Sequence, residues 1–330
     1  MAVAQGAIRT LLRPLLFSLG LAAVGYLIWD LGAGVIWDTF RRLSWTVLIV
    51  LVFPAWLVVL LDTLGWRLTF ARPPRSLLHL LAVRLAGEAV NASTPTASIG
   101  GEPVKALLLR PEISARDALV SVIADKTTVV ASQVILLGVG LLAGLALLPL
   151  SHPLMLTMMG VLALETVCAG AFVVVQLGGV VGGGARLLAR LGMAPRATPI
   201  TLEELDRGLR SAYVERRPRL LVSTVYHFLA SAIETLEIYL VVWFAGVPMS
   251  MTAALGIGAF GSAVRFFSFM IPGSLGAVEG ANVALFTAFG LAGSIGLTCT
   301  LVQRLREILW TAAGFAALSL LSARPAPRRG

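Results

Sequence analysis

Long apolar runs recur along the chain and are separated by short polar or charged stretches. Six of them contain about 20 or more residues, and a helix needs roughly 20 mainly apolar residues to cross the hydrocarbon core of a membrane. Each run is therefore predicted to form one membrane-spanning helix. The six runs cover about residues 11–29, 44–62, 118–149, 154–178, 220–246 and 293–321.

Two further hydrophobic stretches, 76–110 and 250–290, are too long for one helix and are interrupted in the middle by Pro and Gly. The first interruption reads Pro95-Thr-Ala-Ser-Ile-Gly-Gly-Glu102, and the second reads Pro272-Gly-Ser-Leu-Gly-Ala-Val-Glu279. In both, a glutamate comes seven positions after the proline, and a short apolar half-helix and a full span follow. Because Pro and Gly interrupt helices, each stretch is predicted to contain a broken helix.

The composition indicates that lipid rather than water surrounds most of the chain. Of the 330 residues, 58% are hydrophobic and 13% are charged, whereas about a quarter of the residues in a soluble domain are charged. The formal net charge of +9 is carried by 24 Arg and 2 Lys, which lie mainly at the ends of apolar runs. Such a basic margin is typical of cytoplasmic loops that face anionic headgroups, so nucleic acid is not an expected partner.

The basic residues also predict how the helices are oriented. With a cytoplasmic N terminus they fall on one side of the membrane, apart from Arg41 and Arg42, and the C terminus is cytoplasmic too. The spans on either side of 76–110 then require that stretch to enter and leave the membrane on the cytoplasmic side. By the same reasoning, 250–290 enters and leaves on the outer side. Each interrupted stretch is thus predicted to be a re-entrant helical hairpin.

The hairpins and their flanking spans are predicted to form an inverted repeat. Repeat A covers about 44–150 and repeat B about 220–321, joined by a basic cytoplasmic linker at about 179–219. A chance match is the alternative, but the opposed orientations favour a true repeat, and opposed broken hairpins form the binding sites of many transporters. The predicted fold is an all-α polytopic membrane protein with one domain, 1–330, about six full spans and two opposed re-entrant hairpins.

Polar side chains within the interrupted stretches and the neighbouring spans are the candidate substrate-binding residues, because charge inside a membrane is costly and marks pathways or ion pairs. As structural alternatives, Arg84 and Glu88 neutralise each other one helical turn apart, and Glu102 and Glu279 cap their half-helices. Glu234 and Glu237 are expected to face the cavity or to pair with Arg265. The candidates are Arg84, Glu88, Asn91, Glu102, Lys105, Asp125, Lys126, Glu234, Arg265, Glu279, Asn282 and Arg304, with Pro95, Gly100, Gly101, Pro272, Gly273 and Gly276 at the hairpin tips.

No enzymatic motif accompanies these charges. The sequence has no G-x-S-x-G, H-E-x-x-H or Walker A motif. The three histidines are scattered, and Cys168 and Cys299 lie in apolar runs without metal-ligand spacing. Neither a catalytic residue nor a metal or other cofactor is therefore expected.

Both interruptions resemble signatures of a known family. The segment "GEAVNASTPTASIGGEPVKALLL" followed by "ALVSVIADKTTVV" is similar to the first signature of the lysylphosphatidylglycerol synthase transmembrane (flippase-like) family. The segment "MIPGSLGAVEGANVALFTAFGL" followed by "LVQRLREILW" is similar to the second. The lysines at 105 and 126 depart in type from the arginines of many relatives, and a lysine makes a weaker contact with phosphate than a bidentate arginine. The matching positions are Pro95, Gly101, Glu102, Lys105, Asp125, Lys126, Pro272, Gly273, Gly276 and Glu279.

The resemblance implies lipid translocation across the bacterial inner membrane, with the polar headgroup bound between the hairpins. Full-length members also carry a soluble domain that makes an aminoacylated phospholipid, so synthesis of lysyl-phosphatidylglycerol is not expected of this chain. Stand-alone members are associated with hopanoid synthesis or polyprenyl-linked sugars, and the Asn-Ala-Ser-Thr-Pro-Thr tip is similar to the hopanoid branch. The expected partners are a phospholipid, hopanoid or polyprenyl-linked lipid and lipid-biosynthesis enzymes. Two alternatives remain: a non-transporting scaffold that docks through 179–219, and a membrane-embedded transferase.

Overall fold

The computed structural model describes residues 43–94, 100–110, 112–177, 202–268, 271 and 274–323, together with Trp29, Gly34, Trp37, Asp38 and Arg41. Within these residues the protein is helical and has no strand. Five helices are long and apolar enough to cross a membrane. The protein is therefore an all-α, multi-pass membrane protein, which confirms the fold class predicted from the hydrophobic pattern.

The five long helices correspond to the second to sixth predicted spans, whereas the first span, 11–29, lies outside the described residues apart from its last residue. The helices in chain order are α1 (Thr46–Thr69), α2 (Leu77–Ser93), α3 (Glu102–Leu109), α4 (Ala115–Leu145), α5 (Pro153–Leu177), α6 (Leu202–Val214), α7 (Arg217–Phe244), α8 (Met251–Phe267), α9 (Ala277–Ala288) and α10 (Gly293–Ser322). The candidate spans are α1, α4, α5, α7 and α10.

Each interrupted stretch forms a pair of short helices, α2 with α3 and α8 with α9. The first helix of each pair has 17 residues and begins after a serine that accepts an amide hydrogen bond, from His79 to Ser76 at 3.2 Å and from Ala253 to Ser250 at 3.1 Å. The second helices have 8 and 12 residues. At 1.5 Å per residue they are about 12 and 18 Å long, too short to cross a core of about 30 Å.

The tips between the paired helices lie partly outside the described residues, which do not include Pro95, Pro272 or Gly273. Where the second tip is described, the backbone at Ser274 and Gly276 has φ values of 53° and 79°. This left-handed region suits glycine, because glycine has no Cβ to clash with the backbone. Gly276 therefore permits the turn that leads directly into α9.

The helices on either side of the pairs complete two units that pack against each other reciprocally. Unit A comprises α1 to α4, and unit B comprises α7 to α10. Between the units, α1 packs most extensively on α7, while α2 packs on α10 and α8 packs on α4. Exchanging the units therefore maps the α1–α7 contact onto itself and the α2–α10 contact onto the α8–α4 contact.

The linker between the units, predicted to be a basic loop, contains an amphipathic helix, α6. Its apolar residues Leu205, Leu209 and Ala212 are buried and form one cluster with residues of α4. The Nε of Arg116 on α4 donates a hydrogen bond to the Glu204 carbonyl at 2.9 Å. The described end of the linker is thus attached to unit A.

Small residues allow the reciprocal contacts between the units to be close. A Cβ placed on Gly140 of α4 would overlap the Cβ of Ala259 on α8. Likewise, a Cβ on Gly314 of α10 would overlap the Leu85 carbonyl oxygen and the Ala89 Cβ on α2. Without a strong hydrophobic force between helices in lipid, such close approach supplies much of the attraction through van der Waals contact.

Gly138 and Gly140, which are two positions apart on α4, test this packing. Gly140→Ala should lower the free energy of unfolding in mixed micelles by about 1–3 kcal/mol, because the added methyl group overpacks the contact with Ala259. Gly138→Ala should raise it by about 0.5–1 kcal/mol, because alanine is the better helix former and no atom lies within 4 Å of the new Cβ. Equal effects of the two substitutions would contradict a tight α4–α8 contact.

Candidate functional site

Buried charges collect into two clusters, one centred on each unit. Cluster A joins residues of α1 to α4 with one residue of α7, and cluster B joins residues of α7 to α10. Their nearest described members on α7, His227 and Glu234, are seven residues apart, about 10 Å along the helix axis. Cluster A comprises Asp62, Arg84, Glu88, Asn91, Glu102, Lys105, Asp125, Lys126 and His227, and cluster B comprises Glu234, Glu237, Arg265, Glu279, Arg304, Arg306 and Glu307.

Arg84 of α2 connects two carboxylates of cluster A. Its Nη2 lies 3.1 Å from Asp62 Oδ2, and its Nη1 lies 3.4 Å from Asp125 Oδ2. The Nη1 also donates to the Asp62 carbonyl oxygen at 3.1 Å. The planar guanidinium thereby joins α1, α2 and α4 with several donors in a fixed geometry.

Lys105 and Lys126 enclose the carboxylate with which α3 begins. The Nζ of Lys126 is 2.8 Å from Glu102 Oε1, and the Nζ of Lys105 is 3.2 Å from the same oxygen. Lys105 is 2.5 Å from Glu88 Oε1, and its side chain is 1% exposed. Two cations thus compensate for the cost of burying Glu102.

Asn91 fastens the start of α3 to α2. Its side-chain amide donates to Glu88 and Glu102 at 3.3 Å each, and its Oδ1 accepts the backbone N–H of Gly101 at 2.6 Å. A Cβ on Gly101 would overlap the Gly87 carbonyl oxygen, and a Cβ on Gly87 would overlap the Lys105 side chain. The two glycines therefore let α3 lie against α2 with the lysine between them.

Cluster B is built around three arginines. The Nε of Arg304 lies 2.9 Å from Glu279 Oε1, and its Nη1 lies 3.0 Å from Glu307 Oε2. Arg265 pairs with the other oxygen of Glu307. Arg306 lies 3.1 Å from Glu237 and 3.8 Å from Glu234.

One ion pair recurs in both clusters. Each joins the glutamate in the first turn of the short second helix to a basic residue of the following long helix, Glu102 to Lys126 and Glu279 to Arg304. The basic residue is 24 positions after the glutamate in unit A and 25 positions after it in unit B. Glu279 also accepts the Gly276 backbone N–H at 2.8 Å, so the same carboxylate both caps its helix and forms the ion pair.

The structure brings together most of the residues predicted for the site but changes several of their partners. Arg84 and Glu88 do not neutralise each other, because Arg84 pairs with the two aspartates and Glu88 pairs with Lys105. Glu234 and Glu237 pair with Arg306, whereas Arg265 pairs with Glu307. Asn282 lies apart from these ion pairs and donates to Thr300 Oγ1 at 2.6 Å.

Asp62 and His227 are the members of cluster A that the sequence analysis missed. Asp62 accepts from His227 Nδ1 at 2.7 Å, and Asp125 faces His227 Nε2 at 3.0 Å. The sequence did contain a signal for both residues, because an ionisable side chain within a span is costly and usually marks a pathway or an ion pair. The histidine was set aside because it has no neighbouring metal-ligand residue in the sequence.

Comparison with known proteins places the chain among membrane proteins. The model of the family described as the lysylphosphatidylglycerol synthase TM region matches residues 11–314. The chain is also 25% identical over 306 residues to a UPF0104 membrane protein of Methanothermobacter thermautotrophicus, covering 88% of this chain and 90% of that relative. No solved structure matches the chain.

The recurring ion pair predicts unequal effects of removing its two cations. Arg304→Gln should lower the free energy of unfolding in mixed micelles by about 3 kcal/mol or more, because Arg304 is the one ion-pair partner of the buried Glu279 among the described residues. Lys126→Gln should cost about 1 kcal/mol, because Lys105 still faces Glu102 and the lysine itself is partly exposed. Arg207→Gln, on the exposed face of α6, is the control and should change little. A Lys126→Gln cost as large as that of Arg304→Gln would contradict shared compensation at Glu102.

Proposed function

The chain belongs to the lysylphosphatidylglycerol synthase TM region family, and from this premise we propose that it translocates a membrane lipid. The family carries a lipid-related membrane role. In the proposed mechanism the polar headgroup binds at the buried charge clusters while the apolar tail stays in the bilayer. The single observation that carries the proposal is the ion pair at the start of the short helix, present in both units.

The proposed architecture is an inverted repeat with two re-entrant hairpins. Two features support it: the reciprocal packing of the units, and the equivalent ion pairs of Glu102 and Glu279. Helices as short as α3 and α9 leave backbone ends at membrane depth, which is tolerated only where protein or water surrounds them. Rocking one unit against the other would then expose the clusters alternately to each side.

The clusters contain groups that a headgroup can replace. Lysines and arginines can exchange a glutamate for a lipid phosphate, and glutamates can exchange a lysine for an amine or hydroxyl group. In three of these ion pairs one partner is clearly the more accessible. The side chains of Glu88, Glu234 and Arg265 are 43%, 47% and 40% exposed. A headgroup entering from the membrane would meet these residues first.

The proposed cargo is a phospholipid, a hopanoid or a polyprenyl-linked lipid. We place the protein in the inner membrane with both termini cytoplasmic, since this orientation puts most arginines inside. The proposal treats the protein as a transporter rather than an enzyme. Lipid-biosynthesis enzymes are proposed as neighbours that supply or consume the cargo.

Neutralising the two recurring glutamates tests the mechanism. Proteoliposomes holding fluorescent phosphatidylglycerol should show translocation by loss of signal to an external quencher. The double variant Glu102→Gln with Glu279→Gln should slow it by about tenfold or more, because each change removes a charge-assisted contact of roughly 1.5–3 kcal/mol. The matched control neutralises Glu112, which pairs with His79 at 3.6 Å outside the clusters, and Glu203 on the exposed face of α6.

The outcomes separate the alternatives. Unchanged translocation in a monodisperse double variant would remove the glutamates from the mechanism. No translocation of phosphatidylglycerol, a polyprenyl phosphate or a hopanoid by the unaltered protein would overturn the transporter proposal and favour the scaffold. A change in the mass of the recovered lipid would favour the transferase instead.

A further inference from the structure

One histidine lies between two carboxylates at the boundary between the units. The side chain of His227, on α7 of unit B, is 1% exposed. Its Nδ1 is 2.7 Å from Asp62 Oδ1 on α1, and its Nε2 is 3.0 Å from Asp125 Oδ1 on α4. A Cβ on Gly65 of α1 would lie 2.9 Å from the ring, so the glycine leaves space for the imidazole.

The geometry suits the charged form of the ring. A neutral imidazole has one N–H donor and one acceptor nitrogen, so it can donate to only one of the two carboxylates. An imidazolium donates from both nitrogens and so satisfies Asp62 and Asp125 together. Histidine is also the side chain that most readily changes its charge near neutral pH.

The charges around the ring leave a place for one proton. Cluster A holds four carboxylates and three side chains with a formal positive charge, Arg84 of α2, Lys105 of α3 and Lys126 of α4. A proton on His227 therefore balances the fourth carboxylate. The carboxylates are Asp62, Glu88, Glu102 and Asp125.

Titratable groups on three other neighbouring helices have partners of their own. On α10, Arg306 faces Glu234 and Glu237 of α7, and on α8, Arg265 faces Glu307. On α6, Tyr213 bonds Thr127 and Gln176. Within the described residues, the two ring nitrogens therefore face only Asp62 and Asp125 among titratable groups.

The position of His227 at the boundary gives its proton a mechanical consequence. Among the ion pairs between described residues, only those of His227 join unit B to unit A; all the others lie within one unit. Loss of the proton would replace two attractions across the boundary by two carboxylates facing a neutral ring. The α1–α7 contact, the most extensive between the units, would then lose the ion pair between Asp62 and His227.

We propose that His227, held between Asp62 and Asp125, binds a proton that locks the two units together, and that its release allows the movement that translocates lipid. The proposal rests on the proposed function and adds its energy source. A proton taken up from one side and released to the other ties lipid movement to the proton gradient. The side chains that respond directly are the imidazole and its two aspartate partners.

Distances across the boundary test the lock without any lipid substrate. Spin labels replace exposed residues of α1 and α7, Leu48 and Trp243, in a variant without the two native cysteines. Between about pH 5 and about pH 10, a range that includes histidine titration, the distance distribution should widen or shift in the otherwise unaltered protein. It should stay fixed in His227→Arg, which is permanently charged, and should respond normally in His152→Gln.

Either of two results would overturn the lock. One is an unchanged distribution in the unaltered protein, and the other is a full response that persists in monodisperse His227→Arg. Asp62→Asn gives a second test that keeps the ring, because it removes one of the two attractions. It should widen the distribution even at the acidic end of the range, and a distribution like that of the unaltered protein there would contradict the assignment.

Translocation under a proton gradient tests the coupling. In the proteoliposomes described above, an imposed gradient of about one pH unit should change the rate severalfold in the unaltered protein and in His152→Gln, but not in His227→Arg or His227→Gln. Translocation that ignores the gradient in the unaltered protein would overturn the coupling and leave the proposed function intact. Absence of all translocation would overturn the proposed function, while the distance measurement still decides whether His227 is a proton lock.

Discussion

Pairing of charge inside an apolar molecule is the constraint on which the arrangement of these helices depends. An isolated ion at membrane depth costs at least a few kcal/mol, and a buried pair is tolerated only with good geometry and further hydrogen bonds. In cluster A the partners come from four helices of unit A and one of unit B. Each helix must therefore hold its depth and rotation, or a charge loses its partner.

The backbone is shaped to allow that pairing. Helix α3 begins where Gly101 contacts Gly87, and a Cβ at either position would displace the neighbouring backbone or Lys105. Asn91 then supplies the acceptor for the first amide of the turn. In unit B the corresponding amide, that of Gly276, is accepted by Glu279 itself. In both units a side chain thus accepts the backbone amide at the start of the short helix, which has no partner within the helix itself, but the side chain differs between the units.

The hydrophobic pattern predicts more of the fold than of the candidate site. The predicted breaks fall between α2 and α3 and between α8 and α9, because Pro and Gly act locally and sequence shows them directly. The choice of partner is not local: Asp62 contacts His227 across 165 positions, and no Asp, Glu, Lys or Arg lies within four positions of either residue in the sequence. Helix α6 was not predicted because the many arginines of the 179–219 linker indicated a basic connection. The apolar face of the helix, which includes Leu205 and Leu209, is recognised as buried only when α4 lies beside it.

The two clusters share an ion pair but differ in what their charges can do. Cluster B relies on arginines, which keep their charge at any physiological pH and hold carboxylates in a rigid fork. Cluster A has one arginine and two lysines, and its link to the other unit is an imidazole, whose charge depends on pH. An equilibrium between two conformations can shift only where some interaction differs in strength between them. The boundary at His227 meets that requirement, whereas the arginines of cluster B keep their charge.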